Sequence, residues 1–309
     1  MTSPAPKQRT VLIVGGGFIG LALAARFHHE GCKVRILSRR RPSNLAHEIN
    51  FIEGDQSNGE LMHTLLPACD VVIHTACATT PGSSARNPAM EAELNITPAF
   101  RFLEHCQSSP PPRLLYISSG GTLYGNPGST PVTEEHPPSP ISYHGAGKLA
   151  VESAMRAFGG TSACAVAILR PSNVYGPGQN LRTGFGVIRT LLECLRSNQP
   201  MEIWGDGSAL RDYLFIDDLV DACWRALLPN MAPGTYNVGS GQGVSLTDLI
   251  KLTETMSGQR LDIHQRPSRR SDVEAIVLDA SKLKQATGWQ AQVDLAEGLN
   301  RTWLWLLAN

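Results

Sequence analysis

Gly15, Gly17 and Gly20 have the spacing GxGxxG, directly after the apolar run VLIV at 11–14 and at the head of FIGLALAARF, whose apolar positions recur with a helical period. In that setting one glycine makes the tight turn, one lets main-chain amides approach a pyrophosphate, and one lets helix pack closely on strand. The turn therefore implies a bound dinucleotide with its phosphates at a helix N-terminus. The next apolar run ends at Leu37, so the residue that would meet the adenosine ribose lies near Ser38, and no Asp or Glu stands there. A carboxylate at this place accepts from the ribose 2′-hydroxyl. Ser38 with Arg39, Arg40 and Arg41 would instead face a 2′-phosphate, so the pattern leans to NADP over NAD. In the plainer alternative the arginines form a solvated loop and Arg39 stacks on adenine. Asp55, in EGDQ, could accept from the adenine amino group.

The elements that must hold this turn are legible as short continuous apolar runs at 11–14, 34–37, 71–74, 114–118 and 165–169, separated by longer segments of helical spacing. Continuous rather than alternating runs suit parallel strands buried on both faces, with helices as crossovers. An α/β fold on a doubly wound parallel sheet is the expectation. After Arg170 the alternation stops and Gly- and Pro-containing stretches appear at 176–186 and 205–208. The expected division is a dinucleotide-binding domain over 1–172, with 213–240 returning to it, and a smaller α/β substrate domain over 173–309. PPP at 110–112 and EEHPPSP at 134–140 read as surface loops, because proline cannot continue a central strand or helix. Ser245 is a candidate N-cap for LTDLIKLTETM, with Asp248 making an imperfect capping box.

The 309 residues are 42% hydrophobic and carry zero net charge, with the basic residues spread along the chain. That composition gives no electrostatic footprint for nucleic acid or a membrane surface, and a small-molecule partner is expected. No apolar stretch approaches the roughly 20 residues that span a bilayer, and the polar opening MTSPAPKQRT lacks a signal-peptide core. A cytoplasmic protein is expected. Seven scattered cysteines without a CxxC pair and nine histidines without HExxH argue against a disulfide framework and against a metal.

A longer series of motifs runs in order along nearly the whole chain: GGGFIG at 15–20, DVVIHTAC at 70–77, Asn95 in LNITPAFRFLE, SSGGTLYG at 118–125 and GKLAVE at 147–152. It continues with LRPSNVYGPGQ at 169–179, EIWGDGSALRDYLFIDDLVDA at 202–222, NVGSGQGVSL at 237–246 and RRSDVEAIVLDASKLKQATGW at 269–289. On these residues the chain resembles the extended short-chain dehydrogenase/reductases, in particular the NAD-dependent epimerase/dehydratase family of nucleotide-sugar enzymes to which UDP-glucose 4-epimerases belong. The resemblance implies a Rossmann-type cofactor domain and a smaller C-terminal domain that holds a nucleoside diphosphate sugar in the cleft. It places Gly15, Gly17, Phe18, Ile19, Gly20, Ser38, Arg39, Asp55, Ala76, Asn95, Ser118, Lys148 and Val174 at the cofactor. Asn173 and Arg211 are implied at the diphosphate and Arg269 near the nucleotide or diphosphate, a role that guanidinium and amide donors suit. The plainer reading of Arg211 and Arg269 is an ion pair with Asp212 or Asp272. A homodimer through the segments 91–106 and 143–158 is also implied.

The implied chemistry is transient oxidation. A Tyr, made more acidic by a Lys four residues later and by the oxidised nicotinamide, takes a hydroxyl proton while hydride moves to the cofactor. Lys148 occupies the Lys position, where it would also hold the nicotinamide ribose, but His144 stands where the family has Tyr, and Tyr143 is one place earlier. Residues four apart on a helix diverge by only about 40°, residues five apart by about 140°. The third family position, a Ser or Thr that binds the reacting oxygen, falls on Gly120, flanked by Ser119 and Thr122. Three readings of His144 are open. Neutral imidazole, with an ordinary pKa of about 6.5 pushed lower by Lys148, replaces phenolate as the base. An irregular first helical turn rotates Tyr143 into the site. Or proton transfer is lost and the chain only binds its ligands. An epimerase or dehydratase-type oxidoreductase with His144 as acid/base is the expected function. An NADPH-dependent keto-sugar reductase and a catalytically impaired binding protein are the alternatives.

Overall fold

A computed structural model describes residues 8–182, 184–268 and 273–309. The strands are β1 Thr10–Val14, β2 Lys33–Ser38, β3 Asn50–Glu53, β4 Val71–His74, β5 Arg113–Ile117, β6 Ala165–Pro171, β7 Asn173–Tyr175, β8 Met201–Trp204, β9 Leu210–Phe215, β10 Gly234–Val238, β11 Gly243–Ser245, β12 Ile263–Arg266 and β13 Ala275–Ile276. The helices are α1 Phe18–His29, α2 Gly59–Leu65, α3 Pro81–Ser84, α4 Pro88–Glu91, α5 Thr97–Ser108, α6 Gly120–Leu123, α7 Tyr143–Thr161, α8 Val187–Ser197, α9 Ile216–Ala226, α10 Leu246–Ser257, α11 Ser281–Thr287 and α12 Leu295–Ala308.

A seven-stranded parallel sheet is ordered β10-β6-β5-β4-β1-β2-β3. Its apolar runs alternate between two cores. Val11 and Ile13 pack with Leu23 and Phe27 of α1 on one face. Leu12 and Val14 pack with Phe102 of α5 and Met155 of α7 on the other. This is why the runs are continuous rather than alternating. Strand order reverses between β1 and β4, so the crevice outside their carboxyl ends is where such a sheet accepts a ligand. The strand β3 escaped the sequence reading because NFIE, at the sheet edge, has no fully buried residue to mark it.

The later chain forms smaller sheets, β11-β9-β13 with β7 beside β9, and β12-β8. Asp212 of β9 ties this part to the main sheet. Its Oδ1 accepts from the Ser172 hydroxyl at 3.1 Å and from the Ser240 amide and hydroxyl at 2.9 and 2.7 Å, and its Oδ2 from the Leu278 amide at 3.2 Å. A second buried link joins α7 to β6. There Glu152 receives the Arg170 guanidinium at 2.7 Å, and Arg170 also donates to the Tyr124 hydroxyl at 2.9 Å. Among the described residues no helix is long and apolar enough to cross a membrane.

Candidate active site

The glycine turn follows β1 and opens α1. Gly15 has φ +113°, and a Cβ there would lie 2.7 Å from the Ala76 amide nitrogen, so the turns after β1 and β4 touch backbone to backbone. At Gly20 a side chain would run into the Gly15 carbonyl and stand 3.0 Å from the Thr75 hydroxyl. Gly17 differs, because a Cβ there would meet nothing within 4 Å. It is the N-cap of α1, with no side-chain cap and no acidic residue in the first turn. An open approach to bare helix N–H groups fits a pyrophosphate. Phe18 reaches toward Gly178, 3.9 Å from where a Cβ there would sit, and Ile19 and Val174 are half-buried. Ser38 closes β2 beneath Gly16, where a Cβ would lie 3.1 Å from its own. Arg39 and Arg40 are exposed. Arg41, expected beside them at the ribose, is exposed as well, with its guanidinium 5.4 Å from the centre of the Phe51 ring. Asp55 Oδ1 accepts from the amide and hydroxyl of Ser57 at 2.9 and 2.6 Å, which turns the chain into α2.

The long helix α7 begins at Tyr143 because the Ser142 hydroxyl caps it, accepting from the Gly145 amide at 3.1 Å. A regular start fixes the phase. His144 is 6% and Lys148 8% exposed on the inward face, whereas Tyr143 is 50% exposed. The reading in which Tyr143 rotates into the site is thus corrected: the helix is regular from its first residue, and five positions from Lys148 is the wrong side. Lys148 Nζ donates to the Ile117 carbonyl at 2.9 Å, at the end of β5. Ser118 is buried just beyond, Ser119 is the N-cap of α6, and the Thr122 hydroxyl is buried without a hydrogen-bond partner. Gly120 cannot carry the family's hydroxyl here, since a Cβ would press on Leu278 and stand 3.0 Å from the Arg170 carbonyl.

Around His144 stands a cluster that sequence reasoning missed. Its Nδ1 lies 3.0 Å from the Thr79 hydroxyl and 3.8 Å from Glu91 Oε2. Thr79 donates to Glu91 Oε2 in a short hydrogen bond. Asn95 Nδ2 donates to the Thr79 hydroxyl at 2.7 Å and to Glu91 Oε1 at 2.8 Å, and its Oδ1 accepts from the Ala78 amide at 2.8 Å. Both amide hydrogens of Asn95 are thus engaged with the protein, while its Oδ1 keeps one lone pair beyond the one that Ala78 fills. Asn95 sits in a π-helical turn, Ala92–Ile96, that joins α4 to α5. Pro98, in the first turn of α5, has no N–H to continue an α-helical ladder through that turn. A small cavity beside the cluster is lined by His74, Ala76, Cys77, Glu91, Asn95 and Lys148 among others. His74, tilted against the rings of Phe102 and Tyr116, is held neutral: burial, then Lys148, lower its pKa to about 3.

The electrostatics of the cluster overturn one expectation. Burial and Lys148 do disfavour a charged His144, but contacts with the Cys77 thiol and the Glu91 carboxylate outweigh them and its pKa is raised. Burial likewise opposes ionisation of Cys77, yet Lys148 and His144 bring its pKa down to about 7. Glu91 is held below the usual carboxylate range: burial raises it, and the hydrogen bonds from His144, Thr79 and Asn95 more than compensate. No single sequence motif pointed to Thr79 or Glu91. The nearest signal was two small-residue positions, Gly145 and Gly147, on the buried side of α7.

Asn173 Nδ2 donates to the Asp212 carbonyl at 3.0 Å, and its Oδ1 would lie 3.5 Å from a Cβ on Gly121, so it stands beside α6. Arg211 Nη1 donates to its neighbour's carbonyl, Leu210 O, at 2.9 Å. The Asp212 carboxylate is turned inward onto Ser172, Ser240 and Leu278. Arg269, and with it the suggested partner Asp272, lies outside the described residues. Among the described residues no group of three or more His, Cys, Asp or Glu could hold a metal ion.

Comparison with known proteins agrees with this fold. The NAD dependent epimerase/dehydratase family matches residues 11–239. A UDP-glucose 4-epimerase of Mycolicibacterium smegmatis is 31% identical over 304 residues, covering 96% of this chain and 97% of that protein. The crystal structure of Thermotoga maritima UDP-glucose 4-epimerase with UDP-glucose superposes with a TM-score of 0.91 at 29% identity, covering 97% of this chain and 99% of that one. The Thermus thermophilus UDP-glucose 4-epimerase complex with NAD gives 0.90 at 27% identity, covering 96% and 99%.

Proposed function

Since the chain belongs to the NAD dependent epimerase/dehydratase family, we propose that it is a nucleotide-sugar epimerase that works with NAD and uses His144 as its acid/base. One observation carries the reading: a buried imidazole sits one helical turn before a buried Lys148, on the same face of α7, beside the cavity at the carboxyl ends of β4 and β5. When bound, the nicotinamide supplies the hydride acceptor and donor. His144 takes the proton of the sugar hydroxyl and returns it. Lys148 holds positive charge at the site and favours the deprotonated state of its neighbour. The Thr122 hydroxyl, buried and unpartnered, hydrogen-bonds the reacting oxygen, with Ser119 as the flanking donor. Asn173 and Arg211 take the diphosphate, by amide and guanidinium donors. NAD as cofactor is supported by the NAD held in the Thermus thermophilus relative. The lean of the sequence toward NADP rests on Ser38 and the exposed Arg39 and Arg40, while the Arg41 guanidinium lies over the Phe51 ring. The same reading pairs two copies through the segments 91–106 and 143–158, on which Leu94, Phe100 and Tyr143 are exposed.

The test is conversion of UDP-glucose to UDP-galactose with catalytic NAD+ and no net change in NADH absorbance. The variant His144→Gln lowers kcat by about 10²- to 10⁴-fold, the usual reach of general acid–base catalysis. Full activity in that variant sinks the assignment of the base. Stoichiometric consumption of reduced cofactor makes the protein a keto-sugar reductase instead.

A further inference from the structure

The hydrogen-bond inventory around Thr79 leaves one arrangement of protons. The Ala78 amide can only donate, so the Asn95 atom that receives it is Oδ1, and Nδ2 points at Thr79 and Glu91. An ionised Glu91 carboxylate can only accept, so the single Thr79 hydrogen goes to Glu91 Oε2. The Thr79 oxygen then has two lone pairs, one filled by Asn95 Nδ2 and the other facing His144 Nδ1. His144 must donate there. Its Nδ1 carries the hydrogen, and in the neutral ring Nε2 carries the lone pair.

We propose that Glu91 is a positioning residue which, through the Thr79 hydroxyl, holds His144 in the Nδ1–H tautomer, so that Nε2 carries the lone pair that the acid/base reading requires. The proposal rests on the reading of His144 as acid/base and explains how an imidazole serves in that place. A ring free to exchange tautomers would present a lone pair on the wrong nitrogen for part of the time. A buried carboxylate two hydrogen bonds away also stabilises the imidazolium formed when the proton arrives. Gly147 makes the arrangement sterically possible, since a Cβ there would stand 2.8 Å from the Glu91 carboxyl carbon. Three ionisable groups face the ring: Cys77 from the turn after β4, Glu91 from α4 and Lys148 from its own helix. Lys148 disfavours the imidazolium, and the other two favour it.

The experiment is nitrogen NMR of histidine-labelled protein without cofactor, with the His144 signals identified by their loss in His144→Asn. Wild-type protein is expected to show Nδ1 protonated and Nε2 bare above the ring pKa. In Glu91→Gln and Thr79→Val the tautomer ratio moves toward Nε2–H, and in Glu91→Gln the ring pKa falls by about one pH unit. Thr79→Ser, which keeps the hydroxyl, restores the wild-type pattern. Wild-type protein with hydrogen on Nε2 overturns the proposal without any variant having to fold. So do folded Glu91→Gln and Thr79→Val proteins with unchanged tautomer and pKa. If the ring behaves as expected while no epimerisation occurs, the coupling stands and the acid/base reading fails, so the two are separable.

Discussion

Gly147 and Glu91 compete for one volume: the glycine's missing side chain is the space into which the carboxylate of α4 reaches toward α7. Removing that space is a prediction in itself. Gly147→Ala gains about 1 kcal/mol in helix propensity but overpacks against a buried carboxylate at about 1–3 kcal/mol. A net loss of up to about 2 kcal/mol is expected by denaturant titration. The His144 pKa should fall together with it. An alanine variant that is more stable and titrates like wild type would remove Glu91 from the account.

The pH dependence of activity follows from the raised His144 pKa. A general base works deprotonated, so kcat/KM rises with pH through an acid limb above the ordinary imidazole value of about 6.5. In Glu91→Gln the limb moves to lower pH. Measured pH–rate profiles of both proteins check the sign, and a shift to higher pH contradicts it.

At the glycine turn, stability and binding should separate. Gly17→Ala meets no neighbour, so its cost is under about 1 kcal/mol, that of a poorer N-cap. Its methyl group stands where main chain should approach the pyrophosphate, and calorimetry should show NAD+ affinity reduced at least about tenfold. Gly15→Ala, with φ +113° and a backbone clash, instead costs stability of about 2–4 kcal/mol. Equal affinities for Gly17→Ala and wild type would remove the pyrophosphate from this turn.

Arg39 is exposed beside Ser38, and neither of its neighbours in the chain is acidic. Losing one charge-assisted hydrogen bond, Arg39→Ala should weaken NADP+ about tenfold and NAD+ less than about twofold. A parallel loss for both would show the guanidinium on the adenine rather than on a phosphate.

The Glu152–Arg170 pair gives the acid limb of stability. Burial raises the Glu152 pKa, but hydrogen bonds and charge from Arg170 outweigh it and hold the carboxyl below its ordinary range. A depressed folded pKa contributes stability that is complete above the unfolded value of about 4.3 and is lost as pH falls through the folded value. Glu152→Gln should cost about 3–5 kcal/mol at neutral pH, because it strands a buried guanidinium. It should also flatten the fall in melting temperature below pH 4.3. An unchanged acid slope would place the acid sensitivity elsewhere.

The sequence by itself determined the parallel sheet, the glycine turn at its centre and the shared face of His144 and Lys148. Each of these is a local property: continuous apolar runs, missing Cβ atoms at fixed offsets, and a helical period of about 3.6. The same period assigned Tyr143 to the other side of α7, and the Ser142 cap removed the irregular start that could have rescued it. Only the tertiary structure decided what surrounds the imidazole. Thr79, 65 residues from His144, Glu91 and Cys77 reach it because the turn after β4 and the π-helical turn before α5 converge on α7. A buried polar group takes its partners from whatever the fold brings beside it, so neither the tautomer of His144 nor the direction of its pKa could be read from its neighbours in the chain.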